Sequence, residues 1–140
     1  MANKYEQKFI DAAIAGNLND VRDLIDNHGV DVNFQDNEKG GKGALHHASV
    51  WDHDEIIDFL IELRVDVNLK NKKGRSPLHL AVVWGLEEDR INKVRTLIQH
   101  GANVHLTEHK GKSVLHRAAK FSNPVEIFDI LIENNETVCM

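Results

Sequence analysis

The sequence has one cysteine, two prolines and no apolar run of membrane-spanning length. A lone thiol excludes an intrachain disulfide framework, and Cys139, as the next-to-last residue, fits neither a prenylation box nor a structural role. Leu78 to Leu86 is the longest mostly apolar stretch, too short to cross a bilayer. The opening Met1-Ala2-Asn3-Lys4-Tyr5-Glu6 lacks the apolar segment of a secretory signal, so the expected location is the cytoplasm, with the nucleus also open. An excess of positive charge is missing too. Seventeen basic against twenty-two acidic residues leave a net charge of −5, which weighs against a surface devoted to nucleic acid or anionic membrane while leaving local basic patches open. What is present, 140 residues of which 41% are apolar, fits one compact soluble domain, residues 1–140. A chain of this length buries roughly 68–70% of its unfolded surface without covalent staples.

Self-comparison at fixed period is the informative step. Gly43-Ala44-Leu45-His46, Ser76-Pro77-Leu78-His79 and Ser113-Val114-Leu115-His116 recur, and a glycine (Gly41, Gly74, Gly111) stands four residues before each leucine. Each phrase is followed by an apolar block, Ile56-Ile57-Asp58-Phe59-Leu60-Ile61 and Ile127-Phe128-Asp129-Ile130-Leu131-Ile132, with Lys93-Val94-Arg95-Thr96-Leu97-Ile98 as a weaker copy. Short extended phrases close the units: Val30-Asp31-Val32-Asn33, Val65-Asp66-Val67-Asn68 and Ala102-Asn103-Val104-His105. Ser76 is a candidate N-cap and Pro77 suits the first helical position, where its missing amide costs nothing. Ala48, Ala81, Ala118 and Ala119 are small enough for close helix approach, and Gly29 or Gly101 suits the end of a second, longer helix.

The pattern resembles the ankyrin repeat family, whose unit is a β-turn and two antiparallel helices over about 33 residues. The resemblance implies an all-α repeat solenoid of helix-turn-helix units joined by β-turn or hairpin loops, with units near 4–36, 37–70, 71–107 and 108–136 and a short tail, 137–140. The first unit lacks a tip phrase and puts Asp20 and Asp23 where the second has Ile56 and Phe59, as a capping repeat requires. Departures from the family pattern fall at Gly43, which lacks a capping hydroxyl, and at Arg64, which stands where a helix-ending glycine belongs. Four extra residues lie between Gly85 and Val94, close to one helical turn, and the acidic Glu87-Glu88-Asp89 suits the start of a lengthened helix. In the last unit Arg117 and Asp129 look like capping, whereas Phe128 and Ile132 look like core.

Nine histidines raise the question of metal chemistry. His105-Leu106-Thr107-Glu108-His109 matches the H-x-x-E-H of inverted zinc peptidases, but it straddles an extended phrase and a turn, where no single helix can align both rings. His46, His79 and His116 fall in the repeat phrase, which in this family serves the backbone of the adjoining turn. His28, His47, His53 and His100 read as surface positions. No catalytic, metal or cofactor site is expected, and the chain reads as a non-enzyme.

Recognition of another protein is the expectation that remains. The resemblance implies docking on the turn tips and on the concave face of the first helices. The residues ending those helices are Ile14 and Ala15, Val50 and Trp51, Val83 and Trp84, then Lys120 and Phe121, so an aromatic recurs at one position in three consecutive units. The tips carry Lys39, Lys42, Lys70, Lys72, Lys73, Arg75, Lys110 and Lys112, and the second helices are acidic on their outer positions, including Asp52, Asp54, Glu55 and Asp58. The expected partner is a protein segment with apolar and acidic residues, bound by a monomer or weak dimer. The alternative is nucleic acid at the basic tips, against which the negative net charge and the lack of a base-reading element both count.

Overall fold

The computed structural model describes residues 3–121 and 123–138, with side chains up to residue 134; Cys139 lies outside the described residues. Eight helices form among them: α1 Lys4–Ala15, α2 Leu18–His28, α3 Ala44–Val50, α4 Asp54–Glu62, α5 Pro77–Ala81, α6 Glu87–Gln99, α7 Val114–Lys120 and α8 Val125–Val138. The β structure is small. Strands β1 (Gln35–Asp36) and β2 (Lys42–Gly43) pair antiparallel, with Gln35 opposite Gly43, and Thr107 and Ser113 form an isolated antiparallel bridge at the last tip.

The helices stack as a repeat solenoid: α1 packs on α3, α3 on α5 and α5 on α7, while α2 meets α4 and α6 meets α8. Ala13, Ala48, Ala81 and Ala118 are fully buried, so the first helices approach closely. Leu45, Leu78, Ile56, Ile57, Leu60, Val94, Leu97 and Ile127 fill the space between the two helical rows. Each such side chain is worth about 1.5–3 kcal/mol on leaving water. The acidic face of the first unit is exposed, as a cap requires. At the other end the leucine column surfaces: Leu115 is 42% exposed, where Leu45 and Leu78 are at 2% and 1%.

Local chemistry sets the boundaries. Asn3 and Glu6 form a reciprocal capping box at α1, at 2.8 and 2.9 Å. Gly16 and Gly29 close α1 and α2 in the left-handed region. Arg64 does the same after α4 at φ 61°, its N–H bonding Ile61 O and that of Val65 bonding Leu60 O. Helix α6 starts on the acidic triplet and runs 13 residues against 9 for α4, which accommodates the insertion as added helix.

Ser76 is the N-cap of α5, with Oγ 2.9 Å from His79 Nδ1, which also accepts the Ser76 N–H. Several sequence expectations need correction. His47 is buried and His53 half-buried, since the first stands at the position of Leu80 and the second reaches Ile14 O at 2.8 Å. Asp52 is not an outer residue of α4: it sits in the turn before it at φ 59°, drawn inward by a buried lysine. In the last unit the expected roles of Arg117 and Ile132 exchange, Arg117 being buried and Ile132 exposed.

Candidate functional site

The aromatic register has a backbone cause. The N–H groups of Trp51, Trp84 and Phe121 each bond the carbonyl four residues earlier, His47, Leu80 and Arg117, so each side chain leaves its unit at the same register, although α5 itself ends at Ala81 and Val83 and Trp84 follow it in a turn. Trp51 is 57% exposed, Trp84 51% and Phe121 36%. Val50 and Val83 beside them are half-buried, and Lys120 is exposed. Phe121 differs in carrying cations: Arg117 and Lys120 each lie 5.6 Å from its ring centre.

Beneath the two tryptophans lies a buried charge. Lys93 is 1% exposed and occupies the position of Ile56 and Ile127; its Nζ donates to Ser49 O and to Trp84 O at 2.5 and 2.8 Å. The Asp52 carboxylate completes the site at 2.7 Å from Nζ. One ammonium thereby ties the turn after Trp51 to the backbone of Trp84. Asp52 stands where units one and three have Gly16 and Gly85, all with positive φ. A Cβ on Gly85 would come within 2.6 Å of the Asp52 carboxylate, so this glycine also makes room for it. Arg90 extends the bracing, donating to Gly85 O and to Asn123 Oδ1 at 3.0 Å each, and the Asn123 amide donates to Val82 O and Phe121 O. Sequence reasoning missed this network. Its signals were a lysine in an isoleucine column and an aspartate in a glycine column of neighbouring units.

The basic tips divide by what they already touch. Lys39 faces Asp11 at 4.0 Å, Lys42 is half-buried, and Lys72 bonds Asn37 O through Nζ and Gly40 O through its N–H. Lys73, Lys110 and Lys112 are exposed. Arg75 donates Nε to Glu108 at 2.7 Å, and Arg117 Nη1 lies 3.7 Å from the same oxygen. That hydrogen bond holds the Glu108 carboxyl below the usual carboxylate range. Arg75, Lys110, Lys112 and Lys120 thus meet around one concavity of about 210 Å³, with Glu108, His116 and Arg117.

The repeat histidines serve the backbone. Nδ1 of His46, His79 and His116 accepts the N–H of Gly43, Ser76 and Ser113, and His46 Nε2 reaches Arg75 O at 3.0 Å. Burial lowers His46, His47 and His79 from 6.5 to about 4. Glu108 of the H-x-x-E-H match is committed to Arg75. Among the described residues no three His, Cys, Asp or Glu side chains converge as a metal site, and no helix is long and apolar enough to cross a membrane.

Comparison with known proteins agrees with this architecture. The family model for ankyrin repeats (3 copies) matches residues 9–108. A probable E3 ubiquitin-protein ligase of Oryza sativa subsp. japonica is 34% identical over 81% of this chain and 22% of its own length. The E3 ubiquitin-protein ligase hecd-1 of Caenorhabditis elegans is 33% identical over 87% of the chain and 4% of its own length. The nuclear factor NF-kappa-B p105 subunit of Gallus gallus is 30% identical over 100% of the chain and 14% of its own length. The chain therefore spans under a quarter of each of these relatives.

Proposed function

This chain belongs to the ankyrin repeat family, whose repeats are generally protein-interaction modules, and from that premise we propose that it is a non-enzymatic binding module: an adaptor, inhibitor or effector acting by occupancy of a partner. The binding face is the row where the first helices end, with Val50, Trp51, Val83, Trp84 and Phe121 as its apolar and aromatic line and Lys120 as a cation beside Phe121. Lys39, Lys42, Lys72, Lys73, Arg75, Lys110 and Lys112 edge it with positive charge. One observation carries the reading. Three large aromatics stand exposed at one register position of three successive units, although the core is filled without them. The partner is a protein segment that combines apolar and acidic residues, because apolar anchors beside a cationic rim favour both.

Affinity capture with the wild-type chain beside a Trp51→Ala/Trp84→Ala double variant tests this. A protein retained by the first and released by the second, with both chains equally folded by circular dichroism, upholds the reading. Identical retained sets overturn it, as does retention of DNA or RNA with a steep loss of affinity in salt.

A further inference from the structure

We infer that the concavity between the third and fourth tips is an anion site for a phosphoryl group, carried on a serine or threonine of a partner segment. This rests on the binding-face reading above, and it assigns one chemical group to one place on that face. The observation is a charge surplus around a partly enclosed space. Five cationic side chains, Arg75, Lys110, Lys112, Arg117 and Lys120, line the concavity of about 210 Å³ against one carboxylate, Glu108. That carboxylate is already bonded by Arg75 at 2.7 Å, and Arg117 stands 3.7 Å from the same oxygen.

Arg117 is the informative member. It is 9% exposed, and its Nε donates to His79 O at 3.2 Å, so the side chain is held in place by the preceding unit. Burial and the Arg75 cation both work against its charge, and Glu108 alone opposes them. A second anion would relieve what Glu108 leaves uncompensated. His116 adds a ring donor: its Nδ1 accepts the Ser113 N–H, which leaves Nε2 to donate.

The class of anion follows from charge and shape. The space holds roughly seven waters, enough for a compact tetrahedral group. A carboxylate brings one charge and two oxygens, whereas a phosphoryl group brings about −1.5 to −2 and three strong acceptors to a site whose surplus is several charges. Guanidinium forks match phosphate oxygens, and flexible lysines close on the remaining ones. The site also adjoins the aromatic line, since Arg117 and Lys120 both lie 5.6 Å from the Phe121 ring. A phosphorylated residue seated here would place a neighbouring apolar residue on Phe121.

The test is a ¹H–¹⁵N correlation titration of the full chain at constant ionic strength. The probes are N-acetyl-O-phosphoserine amide, N-acetylaspartate amide and a single-stranded DNA oligonucleotide. The expected result is a saturable shift confined to residues near Arg75 and near 108–121, with phosphoserine binding at least about tenfold tighter than acetylaspartate. Lys112→Gln/Lys120→Gln should abolish it at an unchanged urea midpoint. Equal response to acetylaspartate overturns the phosphoryl assignment, and so does tighter binding of the oligonucleotide. Shifts spread evenly over the tips near Lys39 and Lys72 also overturn it, because they report screening rather than a site. Trp51→Ala/Trp84→Ala should leave probe binding intact, so failure of the aromatic face and failure of the anion site give different results.

Discussion

The Asp52 carboxylate and the Lys93 ammonium, 2.7 Å apart, are a matched pair of departures from the repeat: an aspartate in a left-handed glycine position and a lysine in a buried isoleucine position of the next unit. Neither residue makes sense alone. Together they join two consecutive turns directly under Trp51 and Trp84.

Removing either half of that pair should be unequal in cost. Asp52→Ala strands a buried cation and is expected to cost about 3–5 kcal/mol. Lys93→Met restores an apolar column but leaves the Ser49 and Trp84 carbonyls without their donor, for about 1–3 kcal/mol. The double variant Asp52→Ala/Lys93→Met should be far more stable than the sum of the single losses implies. Urea midpoints of the four proteins close the thermodynamic cycle, and simple additivity would refute the coupling.

Trp51→Ala and Trp84→Ala should each unfold within about 1 kcal/mol of wild type, against about 3–5 kcal/mol for truncating a core aromatic. Partner affinity should fall by about 2 kcal/mol or more for an anchor. Circular dichroism melts and a binding isotherm separate the two effects. Charge reversal at Lys73 should mainly slow association and flatten its salt dependence, since this exposed side chain lies outside the anion concavity.

Arg64→Gly should raise the urea midpoint. Arg64 is exposed at φ 61° and stands where the second unit ends its helix, the place Gly29 takes in the first. Relief of part of the about 1–2 kcal/mol left-handed penalty exceeds the added freedom of the unfolded chain. An unchanged or lower midpoint would show that the side chain stabilises this end in another way.

Acid should destabilise the protein well above the carboxylate range. Buried His46, His47 and His79 hold pKa values of about 4 against 6.5 when unfolded, so the unfolded state binds more protons throughout that window. Their contribution is whole above 6.5 and is lost as pH falls toward 4. Glu108, shifted below its ordinary value, loses its contribution only at still lower pH. His47 Nε2 is buried without a hydrogen-bond partner, and the equivalent residue one unit on is Leu80. His47→Leu should therefore flatten part of the acid slope and raise stability at pH 5 by on the order of 1 kcal/mol. Urea midpoints between pH 7 and pH 4 measure both.

Wherever a feature repeats, the sequence alone determined it. The recurrence of Leu45, Leu78 and Leu115, of the tip glycines and of the Val-Asp-Val-Asn phrases sets the unit, the helix pairs and the stacking, because each unit can bury its apolar face only against a copy of itself. The aromatic line was legible for the same reason, since a fixed register fixes the direction of a side chain. Tertiary structure decided the features that occur once. Asp52 with Lys93 and Glu108 with Arg75 join residues 41 and 33 positions apart across unit boundaries, and Asp52, Lys93 and Arg117 are individually misfits to their columns. A buried charge is tolerated only with its partner at hydrogen-bond distance, and that distance belongs to the stacked units rather than to any one of them.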